Sequence, residues 1–164
     1  MTHDKDFAMT NHFGSELNQP NIHEFFANSC LSEALLLLKH TDLSSEQREE
    51  LKHCTHAAYY HSQKTDNLTN LVRGLWLLTK TYAVLGQQEN TEHYAEKGRG
   101  LCGEAVLSQP AAFAYIFDAL GTAYETGNQP DEAHAYRQLS IDMSNEIKDI
   151  AVKNSFLEET GLAG

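Results

Sequence analysis

The chain has 164 residues, enough for one domain with a sizeable core. Twenty-three acidic against 12 Lys and Arg side chains give a net charge of −11 with neutral histidines. That balance, without a basic stripe, speaks against a nucleic-acid duplex or an anionic membrane as partner.

No apolar run approaches the roughly 20 residues that span a bilayer. Apolar residues make up 41%, and the only prolines, Pro20, Pro110 and Pro130, fall between periodic segments. An all-helical fold is therefore expected. Residues 1–20 carry little periodicity and no apolar core of a signal peptide. They are read as a mobile arm, followed by a single helical domain over 21–164. The odd cysteine count, Cys30, Cys54 and Cys102, predicts three free thiols, buried as small core residues, in a reducing cytoplasmic compartment.

The first helix is expected over residues 22–40. Its run ALLLL is apolar all round and calls for cover on more than one side. Ser29 or Ser32 could start a separate helix after an N-terminal turn. A second helix, 45–63, opens on Ser44 and Gln47, the spacing of a capping box. Its inward stripe is Leu51, Cys54, Ala58 and His61.

The stretch 67–86, NLTNLVRGLWLLTKTYAVLG, is the organising helix. Leu68, Leu71, Leu75, Leu78, Tyr82 and Leu85 repeat at steps of three and four. Val72, Trp76, Thr79 and Ala83 form a second column, so the face is wide enough for two neighbours. A fourth helix is expected over 91–107. Gly98 lies on its packing stripe, where two backbones could come close, whereas Gly100 and Gly103 mark a kink or an early end. Pro110 opens a fifth helix over 111–125. The turn TGNQPDE leads to a sixth that runs to residue 148, with Ala133, Tyr136, Leu139, Ser140, Met143 and Ile147 inward. Residues 150–159 form a last segment able to cover the end of a stack.

A shift of 42 residues aligns Leu78 with Leu120, Tyr82 with Tyr124, Thr91 with Ala133 and Tyr94 with Tyr136. A further shift back puts Leu36 on Leu78 but His40 on Tyr82, a weak first copy. Two helices per unit at such a period are the mark of an α-solenoid. Leu120-Gly121, Tyr124 and Ala133 resemble a tetratricopeptide (TPR) repeat. Trp76, Leu78, Tyr82 and Gly86 give a second match, with Thr79 in place of the usual glycine. Arg137 departs from the pattern, standing where an aromatic is usual, and the period exceeds the usual 34 residues. The resemblance covers roughly residues 70–145. The segment HAAYYH…RGLWLLTKTYAVLG is also similar to small bacterial TPR-like proteins of no assigned activity. The fold so implied is a TPR-like α-solenoid of three antiparallel hairpins with a C-terminal capping helix.

The resemblance implies a concave surface lined by Arg73, Trp76 and Lys80 and, one repeat on, by Tyr115, Asp118 and Thr122. Arg73 and Lys80 would hold a carboxylate on a protein or peptide segment, as in some chaperone-binding TPR domains. The asparagines of that clamp are not matched. Asp118, set among Phe113, Ile116, Phe117, Ala119 and Leu120, needs a partner, and Arg73 or Lys80 would serve. The leading expectation is a non-catalytic scaffold or adaptor, without cofactor or metal. Two alternatives stand beside it. One is a metal-dependent or thiol enzyme built on His53, Cys54, His56 and His61, which lack a metal-ligand motif. The other is an oligomeric structural protein. No GxSxG or phosphate-binding glycine loop is present.

Overall fold

The computed structural model describes residues 19–103 and 108–162. These form seven helices and no strand: α1 (Gln19–Leu38), α2 (Ser45–Ser62), α3 (Leu68–Val84), α4 (Gln88–Arg99), α5 (Pro110–Thr126), α6 (Pro130–Asn145) and α7 (Ile150–Thr160). None is long and apolar enough to cross a membrane. Residues 1–18 of the expected arm lie outside the described residues, as do 104–107.

α1 is one continuous helix, with no break at Ser29 or Ser32. Ala27, Leu31 and Ala34 recur on one face and are buried. The run ALLLL is covered on fewer sides than expected, since Leu36 is 58% exposed. Ser44 closes the expected capping box with Gln47 and starts α2. Asn67 caps α3 by accepting from the Asn70 backbone N–H. α3 is buried on nearly every side from Val72 to Thr79, with only Arg73 partly exposed. Pro110 and Pro130 each sit at the first turn of a helix, where no donor is missed. Asp149 caps α7, and left-handed Gly161 ends it.

Three local expectations need correction. The fourth helix starts earlier and stops sooner than its pattern implied: Gln88–Arg99, with Gly100 at its C-cap. Gly98 does not serve a close backbone approach, because a Cβ there would meet only Ile116 at an ordinary 3.9 Å. Leu139, expected inward on α6, is 43% exposed, and Ser144 is buried in that helix instead.

Contacts run α1 to α2, α3 to α4 and α5 to α6. In addition α1 meets α3, α3 meets α5 and α5 meets α7. Close approach rests on two glycines. At Gly74 a Cβ would lie 3.1 Å from the Tyr59 Cα of α2. At Gly121 it would lie 3.0 Å from Arg137 Cγ and 3.3 Å from the Ala133 carbonyl oxygen of α6.

The pairs aligned in sequence also match in space. Tyr82 stacks on Tyr94 at 5.5 Å and 9°, and Tyr124 stacks on Tyr136 at 5.2 Å and 8°. Between the helices of each pair, Gly86 and Asn128 both adopt positive φ, 70° and 58°. The following N–H donates back to the tyrosine carbonyl, Gln87 to Tyr82 and Gln129 to Tyr124, each at 2.9 Å. The turns 85–87 and 127–129 are thus built alike, whereas 39–44, between α1 and α2, is longer. The long period arises from the link 100–109 between α4 and α5, rather than from longer helices.

Candidate functional site

α3 carries three of the six expected site residues on adjacent turns, and α5 carries the other three. The structure brings them together as two buried polar knots beneath one cavity.

The first knot is centred on Arg73. Its guanidinium pairs through Nε and Nη2 with the Glu159 carboxylate of α7, the Nε bond being 2.8 Å. The Tyr115 hydroxyl donates to the same carboxylate at 2.7 Å. Arg73 Nη1 also donates to Asn28 Oδ1 of α1 at 3.4 Å. One side chain on α3 therefore touches groups on α1 and α7, with the α5 tyrosine on the same anion. Burial opposes the Arg73 charge and is the largest single effect, but the hydrogen bonds and charges of Glu159 and Tyr115 together outweigh it and hold the guanidinium above its ordinary value. Burial, and then the neighbouring Glu159 charge, push the Tyr115 phenol far up, so it stays a neutral donor.

The second knot is centred on Asp118, which is 2% exposed. Trp76 Nε1 donates to its Oδ2 at 2.7 Å, and Lys80 Nζ pairs with the same oxygen at 2.8 Å. Of the two cations expected to neutralise Asp118, Lys80 is therefore the partner. Its ammonium also stands 5.9 Å from the Trp76 ring centroid. Trp76 and Tyr115 meet edge to face at 5.3 Å, and both are buried. Thr122 donates to the Asp118 carbonyl within α5.

Above the knots lies a cavity of about 540 Å³. Leu35, Leu38, Ala83 and Val84 make an apolar shelf along one side. Lys80, Thr122, Glu125, Arg137, Glu158 and Glu159 line the polar side, and Trp76 contributes to the lining. Lys39 stands at the edge, exposed and without an ion pair among the described residues. Arg137 is held by Glu125. Trp76, Lys80 and Thr122 thus reach the cavity, while Arg73, Tyr115 and Asp118 lie behind it.

Glu159 and Lys39 did not emerge from the sequence. Glu159 lies three residues after Phe156 on the inward stripe of the last segment. That spacing marks it as a carboxylate on a buried face, but nothing local says that Arg73 is its partner. Lys39 lies in the turn after the first helix, outside any repeat match.

The histidine cluster is dispersed. His61 Nδ1 lies 2.8 Å from His23 Nδ1 of α1, and its ring stacks on Phe26 at 5.3 Å. His56 Nε2 lies 2.8 Å from the Tyr82 hydroxyl, and His53 is exposed. His56 is exposed, as expected, and its bond to Tyr82 also joins α2 to α3. Burial lowers the affinity of both His56 and His61 for a proton, and the neighbouring His53 and His23 add to it. No three His, Cys, Asp or Glu side chains gather to hold a metal among the described residues. The cysteines are unbridged, but they are not core residues as expected: Cys30 and Cys54 are half-buried and Cys102 is exposed. Burial raises all three thiols, which disfavours thiolate chemistry.

No protein-family model, no curated protein and no solved structure matches the chain.

Proposed function

We propose that the chain is a TPR-like stack of three antiparallel hairpins closed by α7, acting as a non-catalytic scaffold or adaptor for a protein or peptide segment. Support for the stack comes from the matched tyrosine pairs and matched turns 42 residues apart. The observation that carries the binding reading is the cavity, with its apolar shelf of Leu35, Leu38, Ala83 and Val84 beside Lys39, which has no ion pair among the described residues. A cavity that joins apolar walls to a few polar groups is a usual binding place. Arg73 and Lys80 are already engaged by Glu159 and Asp118, so a partner carboxylate would meet Lys39 first. Apolar side chains of the same segment would cover the shelf. Three unbridged thiols fit a reducing compartment, and the cytoplasm is the proposed location.

Affinity capture with the immobilised chain, compared with a K39E/V84E variant, tests this. Both positions are exposed, so helix content should be unchanged. The expected result is a partner retained by the wild type and weakened at least tenfold by the variant. A partner that binds both chains equally places the site elsewhere.

A second reading has its own observation. Phe25 and Leu36 are 65% and 58% exposed on one face of α1, three turns apart. Two copies joined through their first helices would cover them, and mass in solution tests that.

A further inference from the structure

The two most deeply seated side chains of α7 stand one turn apart. Phe156 is fully buried and meets Tyr115 edge to face at 4.9 Å. Glu159, its side chain 9% exposed, receives Arg73 Nε, Arg73 Nη2 and the Tyr115 hydroxyl. Residues at i and i+3 share one helix face, so both anchors enter the same seat. Half-buried Leu157 adds to this contact, and Lys153 bonds Asn145 at the end of α6. The first turn of α7 is open by comparison: Ile150 is 74% exposed and Val152 is 37% exposed.

The seat is built from other elements. Arg73 from α3 supplies a planar fork, Tyr115 from α5 supplies both a donor and an aromatic edge, and Asn28 from α1 steadies the guanidinium. A fork plus a neutral phenol is a carboxylate receptor, and burial strengthens it. The helix it holds also forms one wall of the cavity, through Ser155, Glu158, Glu159, Thr160 and Gly161.

We propose that this seat recognises a helical segment carrying an aromatic residue and, three positions later, a carboxylate, and that α7 is its resident and displaceable occupant. The proposal rests on the reading of this face as the partner-binding surface and names the partner's chemistry. A partner helix bearing Phe-x-x-Glu makes the same two contacts on the same groups. Displacing α7 removes one wall of the cavity and opens Arg73, Tyr115 and Trp76 to the incoming segment. While α7 is seated, the chain competes with its own partner.

The test uses the full chain and a labelled peptide of residues 148–162. In an F156A/E159Q chain the resident helix loses both anchors but stays attached. Fluorescence anisotropy should show the peptide binding this variant at least tenfold more tightly than wild type. Adding R73A, or using a peptide with E159Q, should reverse the gain. Equal binding to both chains, or a gain that R73A leaves intact, overturns the proposal. So does a wild-type dimer that the peptide does not dissociate, since the seat then belongs to a second copy. Should the double variant fail to fold, amide exchange in the wild type decides. α7 amides exchanging at least tenfold faster than those of α5 support displacement; exchange no faster than α5 overturns it. The K39E/V84E comparison probes the opposite wall, so a failure there leaves the peptide result standing, and the reverse holds too.

Discussion

Trp76 and Asp118 stand 42 residues apart and are joined by a 2.7 Å hydrogen bond. Their spacing is the shift that also aligns Tyr82 with Tyr124, and the bond ties α3 to α5. The aromatic donor of one helix meets the buried acceptor of the other, and Lys80 neutralises what remains.

Removing Asp118 should therefore be costly. D118A leaves a buried indole N–H unpaired and Lys80 without its anion, and we expect a loss of about 3 kcal/mol. D118N keeps an acceptor for Trp76 and should lose less, about 1 kcal/mol. Urea denaturation of the three proteins checks the order. Equal stability of wild type and D118A would show that the knot contributes nothing.

The glycines should separate by environment. G98A adds a methyl group at ordinary contact distance from Ile116 and should stabilise by up to about 1 kcal/mol. G121A pushes a methyl group against Arg137 and the Ala133 carbonyl and should destabilise by about 1–3 kcal/mol. Thermal unfolding of both variants distinguishes the two sites by sign.

Much of the fold was legible because its signals are local. The Ser44–Gln47 box, the prolines at 110 and 130 and the period of α3 each act within a few residues. The end of α4 was misread because three glycines in six residues outweighed a pattern that continued through Leu101 and Cys102. The site was half legible. Of the six residues that the repeat register pointed to, Trp76, Lys80 and Thr122 line the cavity and the other three lie behind it. The fate of Arg73 depended on Glu159, 86 residues away, and no periodicity reports which of many distant acids closes an ion pair.

Acid should loosen the contact of α1 with α2. Burial and His23 depress the proton affinity of His61, so the unfolded chain binds that proton more readily. The stabilisation is complete above the unfolded value, near 6.5, and is lost as pH falls through the lower folded value. Melting temperature should drop between about pH 7 and 5. In H61Q this slope should flatten; an unchanged slope assigns it to other groups.

The three thiols should report their exposure. Cys102 is exposed, while Cys30 and Cys54 are half-buried. A thiol reagent at neutral pH should label one site quickly and two slowly in the folded chain, and all three at once in denaturant. Fewer than three reactive thiols in unreduced, unfolded protein would reveal a bridge.

Stacked hairpins that touch only their neighbours can fray from either end, each unit melting on its own. The reach of Arg73 from Asn28 to Glu159 works against that independence, because one side chain of α3 touches both the first helix and the last. The helices α1 to α6 should melt in a single cooperative step, and α7, which leans on the same guanidinium from the far side, is the one element able to leave before the rest.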